Sequence, residues 1–172
     1  MDRIWKMTLL IVTIILGDQF SKGAIQSNFR IGEIYEVIPG MFNLTYVKNT
    51  GVAFSFGAHY PDWIRMILFK VLPIIACFYF LYLIWESRHK SFRQCLAFSL
   101  IFAGAVGNII DRVTLDYVVD MFDFYQGTWH FATFNVADSA ISIAAGILIL
   151  DWFLEFKNGK PEDEISSTVD KA

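Results

Sequence analysis

The sequence predicts a polytopic α-helical membrane protein: four transmembrane helices with a small extramembrane β-sheet. Three observations carry this. Of 172 residues, 55% are apolar and only 18% charged, and the mean hydropathy is +0.46, all tilted away from a soluble domain. The charges are bunched, leaving apolar runs at about 4–25, 63–85, 95–112 and 137–156, each close to a bilayer's thickness as a helix. Between them, at about 26–62 and 113–136, turn residues and period-two alternation replace the apolar runs. The net charge of −3 argues against a nucleic-acid partner, which calls for a basic patch. Cys77 and Cys95 lie in or beside apolar runs and read as small packing residues, while His59, His89 and His130 are scattered. No metal site and no cofactor are expected.

The first run follows Arg3 and Lys6 and resembles a signal peptide, but no small-residue cleavage site follows it; it is expected to stay as an uncleaved span. Asp18 and Lys22 close it, four residues apart on one helix face. They form either an interfacial ion pair with Lys22 snorkelling outward or a functional pair. Glu33 to Ile38 and Phe42 to Lys48 predict two strands about a Pro39-Gly40 turn, with Phe42, Leu44 and Tyr46 on an apolar face. Asn49 and Gly51 open a loop whose glycines permit a tight bend. The second run contains Pro73, which predicts a kink. In the third and fourth runs Ala103/Gly107, Ala140/Ala144 and Ser142/Gly146 have the spacing that lets helix backbones approach closely in lipid. Residues 1–156 form one membrane-embedded domain on this reading, and 157–172 a polar cytoplasmic tail without periodicity.

Four spans put both termini on one side. Arg3, Lys6, Arg88, Lys90, Arg93, Lys157 and Lys160 all fall there, so the positive-inside rule makes that side the cytoplasm. Trp5, Trp63, Trp85, Trp129 and Trp152 fall near span ends, as an aromatic belt would. The sheet segments and the acid-rich stretch from Asn108 to Asp138 then face outward.

That stretch carries the chemistry. Asn108, Asp111 and Arg112 share a face at the end of the third span, which suits either a terminal ion pair or a site. In the strand-like run Val118 to Tyr125, Asp120 and Asp123 point to opposite faces, predicting one inward and one solvated. Asp120, alongside Val118, Phe122 and Phe124, is the candidate for a shifted pKa. Asn135 and Asp138 have capping-box spacing at the start of the fourth span, so Asp138 is a cap or a catalyst. If Asp120 and Asp138 converge in a desolvated cleft, one keeps a proton while the other activates water, which is aspartyl-protease chemistry. Two other classes stay open. A proton-coupled transporter would want such acids near the midplane, often with internal repeats. A membrane assembly protein would explain the spans but not paired acids.

Five blocks together resemble the lipoprotein signal peptidase (signal peptidase II) family of bacteria: Asp18-Gln-Phe-Ser-Lys22, Asn49-Thr-Gly-Val-Ala-Phe-Ser55, Gly104-Ala-Val-Gly-Asn108-Ile-Ile-Asp111-Arg112, Val118-Val-Asp120, and Phe134-Asn135-Val-Ala-Asp138-Ser139. The resemblance spans nearly the whole chain. It implies an aspartic endopeptidase of the inner membrane with four helices and an outer β-cradle, cutting prolipoproteins before a diacylglyceryl-modified cysteine. It implies Asp120 and Asp138 as the catalytic pair, so that cap and catalyst are one residue. Asn108, Asp111, Arg112 and Asn135 match supporting positions, and Asp18, Lys22, Asn49 and Gly51 match positions near the substrate or holding the fold. It also implies a monomer in contact with membrane lipid, inhibited by globomycin-like cyclic peptides, with Ser55–Asp62 in a mobile segment that closes over substrate. Ala103 stands where the family usually has glycine, and Phe131-Ala132-Thr133 where it usually has Trp-Pro-Ala.

Overall fold

The computed structural model describes residues 3–51 and 60–158. Four long helices are apolar enough to cross a membrane: α1 (Arg3–Asn28), α2 (Asp62–Ser87), α3 (Phe92–Thr114) and α4 (Val136–Asn158). Each exceeds the length about 20 residues gives a spanning helix. The fourth runs two residues into the expected tail; the rest of that tail lies outside the described residues, as do Val52–His59.

α3 is the central helix, packed against the other three. Its small residues explain why. Ala97, Ala103, Gly104 and Gly107 are buried, and a Cβ at Gly104 would stand 2.4 Å from the carbonyl oxygen of Ala137 on α4. Ala140 and Ala144 complete that seam with Leu100. Ser142 and Gly146, expected to pack likewise, are instead exposed on the far side of α4, with nothing near Gly146; the spacing is shared, but this face meets no helix. Below the α3–α4 seam, Met7, Ile84 and Cys95 join α1, α2 and α3.

Just before Pro73, where a kink was expected, the helix makes a π-helical turn, Ile67–Val71. Proline has no N–H for the carbonyl of Phe69 and its ring crowds that turn, so a wider turn just before it relieves both. Trp5, Trp63, Trp85 and Trp152 are largely exposed on the helix ends, whereas Trp129 belongs to the sheet.

The sheet is antiparallel, in the order β1 (Ile34–Ile38), β2 (Phe42–Asn49), β3 (Val118–Gln126) and β4 (Trp129–His130). Gly40, with φ at 75°, makes the expected β1–β2 turn. The apolar-face expectation for β2 holds only in part. Asn43 and Thr45 are buried while Phe42 and Leu44 are half-exposed, and the register shifts between Leu44 and Val47. The polar pair is buried because it finds partners: Asn43 bonds Asp123 at 2.9 Å and the Thr45 hydroxyl donates to the Glu33 carbonyl at 2.8 Å. Tyr46, Val119 and Met121 pack on Ile25, seating the sheet on the end of α1.

Candidate active site

The site grows from the junction of α1, α3, β3 and the start of α4. Asn135 precedes α4, and its side-chain oxygen accepts from the Asp138 N–H at 2.9 Å while Asp138 Oδ2 accepts from the Asn135 N–H at 3.3 Å. This is the reciprocal capping box that the spacing predicted. A third partner arrives from far along the chain: Asp18 Oδ1 accepts from the Ala137 N–H at 2.9 Å. The Asn135, Ala137 and Asp138 amides at the start of α4 are thereby satisfied by side chains from two parts of the chain.

Asp18 belongs to a buried ionic cluster. Lys22 Nζ lies 2.8 Å from Asp18, 3.0 Å from Asp111 and 3.0 Å from the amide oxygen of Asn108, which occupies all three ammonium donors. Lys22 is only 2% exposed, so it points inward; the outward-snorkelling alternative is overturned, because Asp18 one turn back on α1 and Asp111 on the facing α3 await it. Asp111 pairs with Lys22 rather than with Arg112, and also accepts from the Val119 N–H at 3.0 Å. Gln19, which sequence reasoning passed over, donates to Asp18, to the Gly107 carbonyl and to Asp111 at 3.0–3.2 Å. Its only signal was its place beside Asp18 in the first block.

Asn108 and Asn135 connect this cluster to the two acids in question. Asn108 Nδ2 donates to Asp138 at 2.7 Å, and Asn135 Nδ2 to Asp120 at 2.8 Å and to Asn108 at 3.3 Å. Asn49 donates to the other Asp120 oxygen at 3.0 Å and receives the Gly51 N–H at 3.0 Å. Arg112 donates to the Gly51 carbonyl at 3.0 Å and lies over the Phe69 ring. The catalytic and supporting candidates Asp18, Lys22, Asn49, Gly51, Asn108, Asp111, Arg112, Asp120, Asn135 and Asp138 thus enter one connected set.

Asp120 is 1% exposed. Burial, then the neighbouring charge of Asp138, pushes its carboxyl up to about 7. A carboxyl raised by a neighbouring carboxylate is equipped to share a proton with it. Beside them opens a cleft of about 710 Å³ lined by Asn49, Asn108, Arg112 and Asp138 together with Val118, Phe131–Phe134, Ile141 and Ile143. Asp120 lies just behind that lining.

Asp123 departs from expectation. It is buried like Asp120, 4% exposed, because Asn43 and His130 supply its hydrogen bonds on the opposite face of β3. Among the described residues, no group of three potential metal ligands is assembled. Asp111 and Asp138 sit at the sheet end of α3 and α4 rather than midway along the spans, against the arrangement a transporter would want.

Known proteins are similar to this chain in sequence and fold. A family model described as Signal peptidase (SPase) II matches residues 10–154. The lipoprotein signal peptidase of Shewanella pealeana is 43% identical over 158 residues, 91% of this chain and 91% of that one. Its counterpart in Salmonella newport is 40% identical over 153 residues, 89% of this chain and 91% of its own. A solved bacterial membrane enzyme, determined in meso at 2.3 Å, superposes with a TM-score of 0.81 at 33% identity, covering 93% of this chain and 94% of that one. A second, at 1.9 Å, superposes with a TM-score of 0.74 at 33% identity, covering 87% and 93%. With matches of this extent along a chain whose helices, sheet and buried acids are those just described, the protein belongs to the signal peptidase II family, the membrane proteases that cleave signal peptides from prolipoproteins.

Proposed function

We propose that Asp120 and Asp138 are the catalytic pair and that the cleft beside them receives a prolipoprotein, cut before its diacylglyceryl-modified cysteine. The observation that carries this is the linking of two carboxylates, Asp120 buried and Asp138 half-buried, through Asn135 and Asn108 at the edge of a largely apolar cleft. Asp120, held up to about 7, carries the shared proton and donates it toward the scissile carbonyl oxygen. Asp138, which receives the Asn108 amide, takes the ionised role and accepts a proton from water as the water oxygen attacks the carbonyl carbon. Collapse of the tetrahedral intermediate breaks the C–N bond, with that proton passing to the leaving amine. Asn49, Asn108 and Asn135 orient the pair. Asp18, Lys22 and Asp111 hold α1, α3 and α4 in register, and Arg112 with Gly51 shapes the rim.

The same proposal takes residues 1–156 as the peptidase domain of a monomer in the bacterial inner membrane, both termini cytoplasmic and the site facing outward. Its support is the clustering of Arg3, Trp5, Trp85, Arg88 and His89 about one pocket, and the Arg93–Asp151 pair nearby, at the end remote from the sheet. Lipid contacts the substrate's acyl chains on this view, and globomycin-like cyclic peptides occupy the cleft as inhibitors. The test is a gel-shift assay of purified protein with a diacylglyceryl-modified prolipoprotein, alongside folded Asp120→Asn and Asp138→Asn variants. Cleavage by the parent alone is expected; cleavage by either variant at a comparable rate would sink the paired-acid mechanism.

A further inference from the structure

The face of β3 turned away from Asp120 carries a second polar cluster. Asp123 accepts from Asn43 Nδ2 on β2 at 2.9 Å, and its two oxygens lie 2.9 and 3.1 Å from His130 Nδ1 on β4. His130 is directly opposite Tyr125 in the ladder, so Asp123 is its diagonal neighbour, within an imidazole's reach. The His130 ring stacks on Tyr125 with centroids 5.3 Å apart and planes 13° from parallel, and the Tyr125 hydroxyl is bonded to Glu36 and to the Gly40 N–H. A carboxylate only accepts, so Nδ1 holds the hydrogen whether the imidazole is neutral or charged.

What this contact restrains is the wall of the cleft. β4 is only two residues long, too short to hold itself in place. The chain after it, Phe131 to Phe134, lines the cleft. Phe134 is tied to Phe122 by backbone bonds in both directions at 2.9 and 3.2 Å. At the other end the Phe131 N–H bonds the Phe124 carbonyl at 2.8 Å, and between them Ala132 and Thr133 pair with no strand. One end of the wall thus rests on two backbone bonds, the other on a single backbone bond, a minimal strand and the His130 side chain.

We propose that Asp123 and His130 form a latch that fixes the Phe131–Thr133 wall, making His130 a positioning residue for substrate binding and not for bond breaking. The inference rests on the assignment of this cleft to substrate. His130→Phe keeps a ring against Tyr125 but loses the donor; His130→Asn places an amide nitrogen where Nδ1 stood. With the lipidated prolipoprotein as substrate, His130→Phe is expected to raise KM about fivefold while kcat stays within about twofold, and His130→Asn to recover most of the parental KM. Hydrogen exchange supplies a readout independent of cleavage: residues 127–134 of His130→Phe should exchange about tenfold faster, with α3 and α4 unchanged. Parental KM and exchange in His130→Phe, a fall in kcat with KM unchanged, or His130→Asn behaving like His130→Phe would each overturn the latch. Failure of the parent to cleave would count against the substrate assignment, and the exchange measurement would still decide the latch.

Discussion

Adding one methyl group at Gly104 should disable this protein, while the same change at Gly146 should not. A Cβ at Gly104 would stand 2.4 Å from the Ala137 carbonyl oxygen, 2.7 Å from Ile141 Cγ1 and 3.1 Å from Ile141 Cδ1. Ile141 can turn, but a helix backbone oxygen has nowhere to go except with its helix. Ordinary contact begins near 3.4 Å, so the start of α4 must retreat from α3 by about 1 Å. Ala137 neighbours Asp138 and donates its own N–H to Asp18, so the retreat stretches the cap and moves one acid relative to the other. Overpacking of this kind costs about 1–3 kcal/mol, and a misplacement of about 1 Å at reacting groups can cost about a hundredfold in rate. Gly146 has open space where its Cβ would stand, and Gly146→Ala, by removing a flexible residue from an exposed helix position, should be neutral or slightly stabilising. The assay is the initial cleavage rate of a lipidated prolipoprotein together with thermal unfolding in the same detergent. A parental rate and Tm for Gly104→Ala, or equal losses in the two variants, would refute the claim that the α3–α4 seam sets the geometry of the acids.

Lys22→Met leaves Asp18 and Asp111 buried together without their cation, and should cost about 3–5 kcal/mol, seen as a large drop in Tm. Adding Asp18→Asn and Asp111→Asn should recover much of the loss, and a parental Tm for the single variant would contradict the buried ionic cluster. The pH dependence follows from Asp120, whose carboxyl sits at about 7 instead of 3.8. Because the folded state holds this proton more tightly, the group's contribution to stability is full below the ordinary value and is lost as pH rises through about 7. That amounts to about 4 kcal/mol at most. Cleavage should decline over the same upper range as the pair loses its shared proton, and Asp120→Asn should flatten the stability profile. An unchanged stability profile in that variant would remove the basis for a protonated Asp120.

Local rules carried far in this chain. Four apolar runs of helical spanning length declared the helices, and Pro39-Gly40 declared a hairpin that Gly40 completes with a positive φ. The Asn135-x-x-Asp138 spacing declared a capping box that forms with both of its bonds. Each of these depends on residues within a turn or two of one another, so sequence spacing suffices. The resemblance to a family implied the same two acids, Asp120 and Asp138, that the local reading had set side by side.

Partner choice was decided elsewhere. Asp18 and Lys22 have the same local appearance whether the lysine reaches outward to headgroups or inward; only the arrival of Asp111 and Asn108 on α3 makes inward the lower-energy course. Asp123 alternates with Asp120 and so looked solvated, yet Asn43 and His130 bury it. Gln19 and the Asp18–Ala137 contact join residues up to 119 positions apart. The small-residue spacings of Ala140/Ala144 and Ser142/Gly146 are indistinguishable in sequence, and only the placement of α3 turns one into a seam and leaves the other bare. The sequence by itself determined the elements, their ends and the residue types available for chemistry, because those follow from short-range sterics and hydrophobic periodicity. Which polar groups are buried and what they pair with was decided by the tertiary structure, because the cost of burying a charge or an amide is offset only by partners that distant parts of the chain bring to it.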